Sequence, residues 1–407
     1  MHRIPLLGWI FASTLAEAAP PRRYTALAAG DAFVCAVDAD GRVWCWGDNR
    51  NGQLGGGSPE PFVGSPSLVT DLTDVVQVAA ARFWAAAVRR DGTVWTWGDD
   101  GFGRRTGDPK APLAGPRPTR VRGLDRVKQL ALGEHHGCAL RDDGTVWCWG
   151  WDYYGRLGDA QRFFATQPAN PTPIPVPQGP MPGRLMGEPA DRRSEPSFPP
   201  TPVPGIARAS TIAAFGARTA AIVDGAVWMW GNAAALAESG QMTPVTAADL
   251  APRAVDGLSA IRAIALGPRR HLAVHSDGRV LGFGDLFDGG RNTTPIAPGV
   301  VQYTGIDGTI DAATHYGAIV RRGDGTLTGW GNLRGDGQPA GGPPSRLDLR
   351  ATAITAGRDF ACAIDPDAQL WGWGAGWAGQ LGVPPGRTIG ASADWTADRP
   401  IPLFHPK

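Results

Sequence analysis

The sequence predicts an all-β chain folded as a seven-bladed β-propeller, with about four antiparallel strands per blade. Three observations predict it. A five-residue motif, valine-tryptophan-cysteine-tryptophan-glycine at Val43–Gly47, returns as Val94–Gly98, Val146–Gly150, Val227–Gly231, Val280–Gly284, Leu327–Gly331 and Leu370–Gly374. The last glycines of these copies lie 51, 52, 81, 53, 47 and 43 residues apart, so one supersecondary unit recurs with a single long interval. The composition agrees, because 57 glycines and 37 prolines among 407 residues disfavour long helices, while 43% apolar residues and 16 tryptophans supply a large core.

Each copy reads as a hairpin. In the first, Phe33 to Val37 and Val43 to Trp46 are apolar or β-prone runs around the turn Asp38-Ala39-Asp40-Gly41-Arg42. Pairing Asp38 with Arg42 leaves a three-residue loop that ends in Gly41, the position that must turn left-handed. Asp91-Gly92, Asp143-Gly144, Asp224-Gly225, Asp277-Gly278 and Asp324-Gly325 repeat the device, whereas the seventh copy carries Asp367-Ala368, a turn expected to be strained or rebuilt. Further strands lie before each hairpin, as in Pro118 to Val121 and Leu124 to Leu130. Sheets that cannot bury both faces alone pack their aromatic faces on one another around an axis. Length alone would suggest two or three domains, but a closed ring makes residues 19–407 one domain. The first copy begins at Tyr24 without a preceding Pro-x-x-Val strand, and the chain ends in Arg399-Pro400-Ile401-Pro402-Leu403. The two terminal strands are therefore expected to share one blade.

Two segments stand apart from the ring. Met1-His2-Arg3, an apolar run from Ile4 to Leu15 and the small-x-small Ala16-Glu17-Ala18 read as a signal peptide, residues 1–18, cut after Ala18. That run is too short for a spanning helix, which needs about 20 apolar residues, and no other segment is long and apolar enough. The long interval holds a proline-rich insertion at about 167–205, expected to be disordered and unable to join a sheet because its prolines lack amide donors.

Ala29-Gly30, Cys35-Ala36-Val37, Asp40-Gly41, Trp44-Cys45-Trp46-Gly47 and Gly52-Gln53-Leu54-Gly55 resemble the repeat of the regulator of chromosome condensation family. Gly379-Gln380-Leu381-Gly382 and Gly155-Arg156-Leu157-Gly158 repeat the ending, and the resemblance runs from about Tyr24 to Leu403. It implies a seven-bladed propeller and, in an exported bacterial-type member, a protein-binding role. Copies four and five depart from the pattern, with Asn232-Ala233-Ala234 and Asp285-Leu286-Phe287 in place of the glycine-glutamine-leucine segment.

Four of five cysteines fall in two pairs at one repeat position, Cys35 with Cys45 and Cys138 with Cys148. The hairpin register sets 35 opposite 45 at a position without ladder hydrogen bonds, where α-carbons approach to about 4.5 Å, within disulfide reach. Two cross-strand disulfides are expected. Free thiols in a reducing compartment are the alternative; a zinc site is disfavoured, because pairs on different blades do not converge on one ion. Cys362 occupies the same position opposite Gly372 and is expected to be a buried, unpaired thiol.

The 39 basic and 38 acidic residues balance, so no global field points to nucleic acid or to an anionic membrane. The histidines are scattered over different repeats, and no nucleophile elbow, phosphate cradle or paired-carboxylate motif appears. No catalytic residue, cofactor or metal is assigned. Glu134-His135-His136 is the most metal-like cluster, yet His136 stands where the resembling family carries a structural histidine.

What the ring supplies is a set of equivalent loops on one face. Asp31-Ala32-Phe33, Arg82-Phe83-Trp84, Glu134-His135-His136, Ala217-Arg218, Pro268-Arg269-Arg270, Thr314-His315-Tyr316 and Arg358-Asp359-Phe360 are expected to converge there. The third residue of each set, including Phe33, Trp84, Tyr316 and Phe360, is expected to point inward. Phe83, His135, Arg269, His315 and Asp359 are then the outward candidates. With Asp31, Arg82, Glu134 and Arg358 they form the candidate binding set, since arginines and aromatics on fixed loops anchor interfaces. The family includes an exported inhibitor that caps β-lactamases with aromatics at the second loop position, a pattern that is thin here. It also includes guanine-nucleotide exchange on a small GTPase and an ultraviolet photoreceptor branch, whose loop tryptophans are matched here by Trp84 alone. The sequence therefore predicts an exported, monomeric, non-enzymatic scaffold in the periplasm, at the cell surface or in the medium. It binds another protein or a surface polymer through this face, with nucleotide-exchange regulation as the second reading.

Overall fold

Each motif copy is the third strand of an antiparallel sheet, and each sheet is one continuous stretch of chain. A computed structural model describes residues 22–100, 105–106, 116–152, 155–162, 197–231, 247–268, 270–284, 293–333, 344–382 and 396–404. Blade one runs outward from Tyr24–Ala29 through Phe33–Asp38 and Val43–Asp48 to Phe62–Leu68. Six more sheets follow, with innermost strands Val75–Ala80, Val127–Leu132, Ala209–Phe215, Ile261–Leu266, Thr309–Thr314 and Ala353–Ala356. Six of the seven sheets have four strands; blade five adds Thr293–Ala297 outside Val300–Tyr303. The seven-bladed propeller is the fold the repeat predicts.

The hairpin register is the expected one. Phe33 faces Gly47, Cys35 faces Cys45 and Val37 faces Val43. Asp38 closes the turn, its N–H donating to Arg42 O at 2.9 Å and its Oδ1 accepting from the amides of Asp40 and Arg42. Gly41 has φ 75°, and Ala368 in the seventh copy is forced into the same left-handed region at φ 64°. The predicted strain is there. The motif's last glycine is left-handed too: Gly47 has φ 109°, and a Cβ on it would lie 2.5 Å from Ala32 O. The inner loop therefore rests directly on that glycine.

The turn also joins neighbouring blades. The carbonyls of Gly41, Gly92, Gly144, Gly225, Gly278 and Gly325 accept the amides of Val75, Val127, Ala209, Ile261, Thr309 and Ala351 at 2.8 to 3.2 Å. The seventh bond of this ring runs from Tyr24 N to Ala368 O at 2.9 Å and joins the first blade to the last. Between blades lie the motif's second aromatics. Trp46, Trp97, Trp149, Trp230 and Trp373 are at most 1% exposed. Trp46 Nε1 donates to Gln380 O, Trp97 Nε1 to Gln53 O and Trp373 Nε1 to Leu333 O, each in the preceding blade.

Three expectations are corrected. The terminal strands do not share a blade: Thr396–Pro402 completes blade seven beside Leu370–Ala375, and blade one has its own outer strand. The reason is that each Pro-x-x-Val segment pairs with the strand the chain has just left, as Thr119–Arg120 does with Val94–Gly98. Ring closure thus rests on packing and on hydrogen bonds between blades one and seven, among them Tyr24 N to Ala368 O, Trp46 Nε1 to Gln380 O and Ala29 N to Thr355 Oγ1. Second, the proline-rich run does reach a sheet, because Ser197–Pro202 is the outer strand of blade three. An edge strand needs donors on one side only, so prolines are tolerated there. The rest of the insertion up to residue 196, and the expected signal peptide 1–18, lie outside the described residues. Third, the turn sequences do not announce the fifth strand of blade five.

The cysteine reading holds geometrically. Cys35 and Cys45 have sulfurs 2.07 Å apart and α-carbons 4.1 Å apart; Cys138 and Cys148 match them at 2.09 and 4.1 Å. Cys362 faces Gly372 and is a fully buried free thiol. Among the described residues no helix is long and apolar enough to cross a membrane.

Candidate functional site at the inner-loop rim

The innermost strands line a cavity of about 670 Å³ on the propeller axis. Small side chains keep it open, with Ala29, Ala80, Ala214, Ala313 and Ala356 on its wall. The loops between innermost and second strands form its rim, where Asp31, Arg82, Glu134, Gly216, Pro268, His315 and Arg358 stand. The rim is as rigid as the ring, because its loops hydrogen-bond to one another: Glu134 N donates to Gly216 O at 2.8 Å and Arg358 N to Asp31 O at 3.2 Å.

The structure draws part of the candidate set into one ion-pair chain. Arg82 Nη1 donates to Glu134 Oε1 at 2.7 Å, and Arg82 Nε lies 3.6 Å from Asp31 Oδ2. Burial works to lower the Arg82 pKa, but the carboxylates of Glu134 and Asp31 outweigh it and the net shift is upward. Asp31 Oδ1 also meets His315 Nε2 at 3.4 Å. Arg82 stacks over Phe83, with 4.7 Å from its guanidinium carbon to the ring centre. Arg358 and Asp359 stand in another sector, with Arg358 Nε 3.8 Å from Asp359 Oδ2. Arg269 lies outside the described residues.

Two histidines expected to point outward are buried. His135 is 3% exposed, edge-on to Trp151 at 5.2 Å, and His315 is 8% exposed, edge-on to Phe215 at 4.9 Å. Conversely Tyr316, expected to pack inward, is 50% exposed. In blade six the reason is register. Ala318 pairs with Trp330, as Val34 pairs with Trp46, so Tyr316 holds the second loop position and Gly317 the third. Setting the loop against the motif tryptophan, rather than against the preceding small residues, would have shown this. Phe33, Trp84 and Phe360 are buried as expected, and Trp84 Nε1 donates to Gly133 O at 3.1 Å. Trp377, exposed in the loop after the third strand of blade seven, carried no signal in the repeat pattern.

The rim offers ion pairs, guanidinium-aromatic stacks and an exposed tyrosine. Among the described residues no group of three or more His, Cys, Asp or Glu is placed to hold a metal ion. His136 is wholly buried, its pKa driven down to about 3 by burial and by Arg156, and its Nε2 lies 2.7 Å from Thr219 Oγ1 of the next blade.

A model of the regulator of chromosome condensation (RCC1) repeat matches residues 24–53 and 127–156, and a second model of that repeat matches 40–88. Blades one to three thus match the RCC1 repeat. The chain is 31% identical over 166 residues to the X-linked retinitis pigmentosa GTPase regulator homolog of Caenorhabditis elegans, covering 39% of this chain and 12% of that protein. It is 33% identical over 138 residues to the ultraviolet-B receptor UVR8 of Arabidopsis thaliana, covering 33% of this chain and 31% of that one. The matched stretch is thus under a third of either relative. Among solved structures, Prp20p of Saccharomyces cerevisiae, described with its binding properties to Gsp1p and histones, superposes with a TM-score of 0.60 at 20% identity, over 84% of this chain and 83% of that one. Human WBSCR16 follows at 0.52 and 18%, over 95% and 83%. At these identities the RCC1-repeat likeness is one of fold.

Proposed function

We propose that this chain is an exported, monomeric, non-enzymatic RCC1-repeat scaffold that binds another protein through its inner-loop rim. The observation that carries the reading is the convergence of arginine, carboxylate and aromatic side chains from several blades onto one rigid rim. Such preorganised anchors lose little entropy on binding. Export is supported by the leader pattern of residues 1–18 and by two cysteine pairs at bonding distance, which fit an oxidising compartment. Intact mass before and after reduction tests export: a chain starting at Ala19 with one reactive thiol is expected, and an uncut chain with five thiols overturns it. A photo-crosslinker at Phe83 or Tyr316 tests the face, with Arg89 at the opposite end of the ring as control. Capture at the two rim positions and none at Arg89 is expected; capture at Arg89 alone overturns the face.

The second reading is regulation of a small GTPase by nucleotide exchange, favoured by the name of one relative. Acceleration of nucleotide release by substoichiometric protein would establish it, and an unchanged rate removes it.

A further inference from the structure

The rim carries two arginines at one loop position. Trp84 faces Gly98 and Phe360 faces Gly374, so Arg82 and Arg358 stand at matching places, two residues before the second strand. Their surroundings differ. Arg82 is clasped between Asp31 and Glu134, and its side chain is 31% exposed. Arg358 is 53% exposed and has one carboxylate at 3.8 Å, that of Asp359. Its Oδ1 accepts from Asn332 Nδ2 at 2.9 Å, which holds the carboxylate so that Oδ2 stays at 3.8 Å from Arg358 Nε, beyond hydrogen-bond distance. Nor is Asp31 open to it: Arg358 N reaches the Asp31 carbonyl, while the Asp31 carboxylate is turned to Arg82 and His315. The first arginine shows what this position holds when filled, and at the second no carboxylate of the described residues comes within hydrogen-bond distance.

Apolar surface flanks Arg358. The Arg358 guanidinium carbon lies 5.7 Å from the Tyr316 ring centre, and Tyr316 is half exposed. Ala375 N donates to Asp359 O, and two residues further on Trp377 is 37% exposed. Tyrosine, tryptophan and arginine are the residue types in which interface energy concentrates. We propose that the contact hot spot is Tyr316, Arg358 and Trp377, and that it takes a loop of a partner protein presenting an aspartate or glutamate beside an apolar side chain. The carboxylate would complete a guanidinium pair like that of Arg82, and the apolar neighbour would cover the two rings.

This inference rests on the reading of the rim as a protein-binding face, and its test separates the two. A phage library of disulfide-constrained peptide loops is selected against the whole protein, and the enriched loops are measured on variants. Enriched loops are expected to share an acidic residue beside an apolar one. R358E is expected to weaken them at least tenfold, Y316A and W377A several-fold each, and R358K less than R358E. R89A, at the opposite end of the ring, is expected to change nothing. R358A and D359N guard against a folding defect, because both positions are solvent-exposed or partly so and each variant's melting curve is read alongside. Loops without a shared acidic residue, or loops that bind R358E as well as the parent, overturn the hot spot. If such loops crosslink to Phe83 the rim reading survives, and if they crosslink to the Arg89 end both fall.

Discussion

At the scale of single residues, the repeat shows its rules most clearly where one copy breaks them. Six turns place glycine in the left-handed region and the seventh places Ala368 there at φ 64°. Its carbonyl nevertheless keeps the bond to Tyr24 N, so the strain is held by a contact that joins the ends of the ring. A left-handed non-glycine residue costs about 1–2 kcal/mol, of which greater freedom of glycine in the unfolded chain would return about 0.4–1. Ala368→Gly is therefore expected to raise stability by about 0.5 kcal/mol in equilibrium urea denaturation. Equal or lower stability would show that the turn has relaxed around the alanine. The cysteine pairs were legible at this scale because opposition in a hairpin follows from counting. Tyr316 was not, because a side chain's exposure in a loop depends on which residue the next strand begins with, and Gly317 moves that origin by one; nor was His135, which keeps its expected place and is covered by Trp151.

At the scale of elements, the outer strand of each blade is the part the sequence places least well. Its recurring apolar residue is legible: the amides of Val69, Val121, Val203, Val255 and Leu403 each donate to the first residue of the motif strand beside them. Which sheet that residue joins is not legible, since a short Pro-x-x-Val segment could pair with the hairpin before it or the one after it. The structure chooses the one before, and so the two ends of the chain fall in adjacent blades rather than in one. Proline likewise misleads at Ser197–Pro202, where an edge position forgives the missing donors. Removing residues after Asp398 is expected to destabilise the ring although no blade is shared between the two ends of the chain. It strips the outer strand of blade seven, the buried Leu403, and Phe404, whose ring meets Trp46 of blade one edge-on at 5.1 Å. Leu403→Ala is the milder form, and loss of a buried leucine costs about 2–5 kcal/mol. An unchanged melting temperature for both variants would mean that blade seven does not depend on its last strand.

At the scale of the whole molecule, the ring buries ionisable groups whose pH effects oppose one another. His136 and His271 are buried between blades, and burial, with Arg156 near one and Arg218 near the other, drives both pKa values down from 6.5 to about 3. The unfolded chain takes up these protons near pH 6.5 while the folded chain refuses them until about pH 3. Their contribution to stability is thus complete above about 6.5 and is lost as pH falls. Asp152 has the opposite sign. Its Oδ1 accepts Leu157 N–H at 3.1 Å, as Asn49 Oδ1 accepts Leu54 N–H in blade one. Burial raises its pKa from 3.8 to about 7, partly offset by the Leu157 amide, Arg162 and Arg156. Between those values the folded carboxyl keeps a proton the unfolded one has released, so this contribution is greatest below about pH 4 and declines as pH rises to about 7. On acidification from pH 6.5 to 4 the two histidines lower stability, and Asp152 softens the loss, as does Asp311, whose pKa burial also raises. Asp152→Asn puts in blade three the amide that blade one already uses. It is expected to stabilise the protein at pH 7 by on the order of 1 kcal/mol or more and to steepen the decline between pH 6.5 and 4, read as denaturation midpoints across that range. Parallel curves for the two proteins would mean that Asp152 titrates as it does in the unfolded chain, and that water reaches the loop beside Leu157.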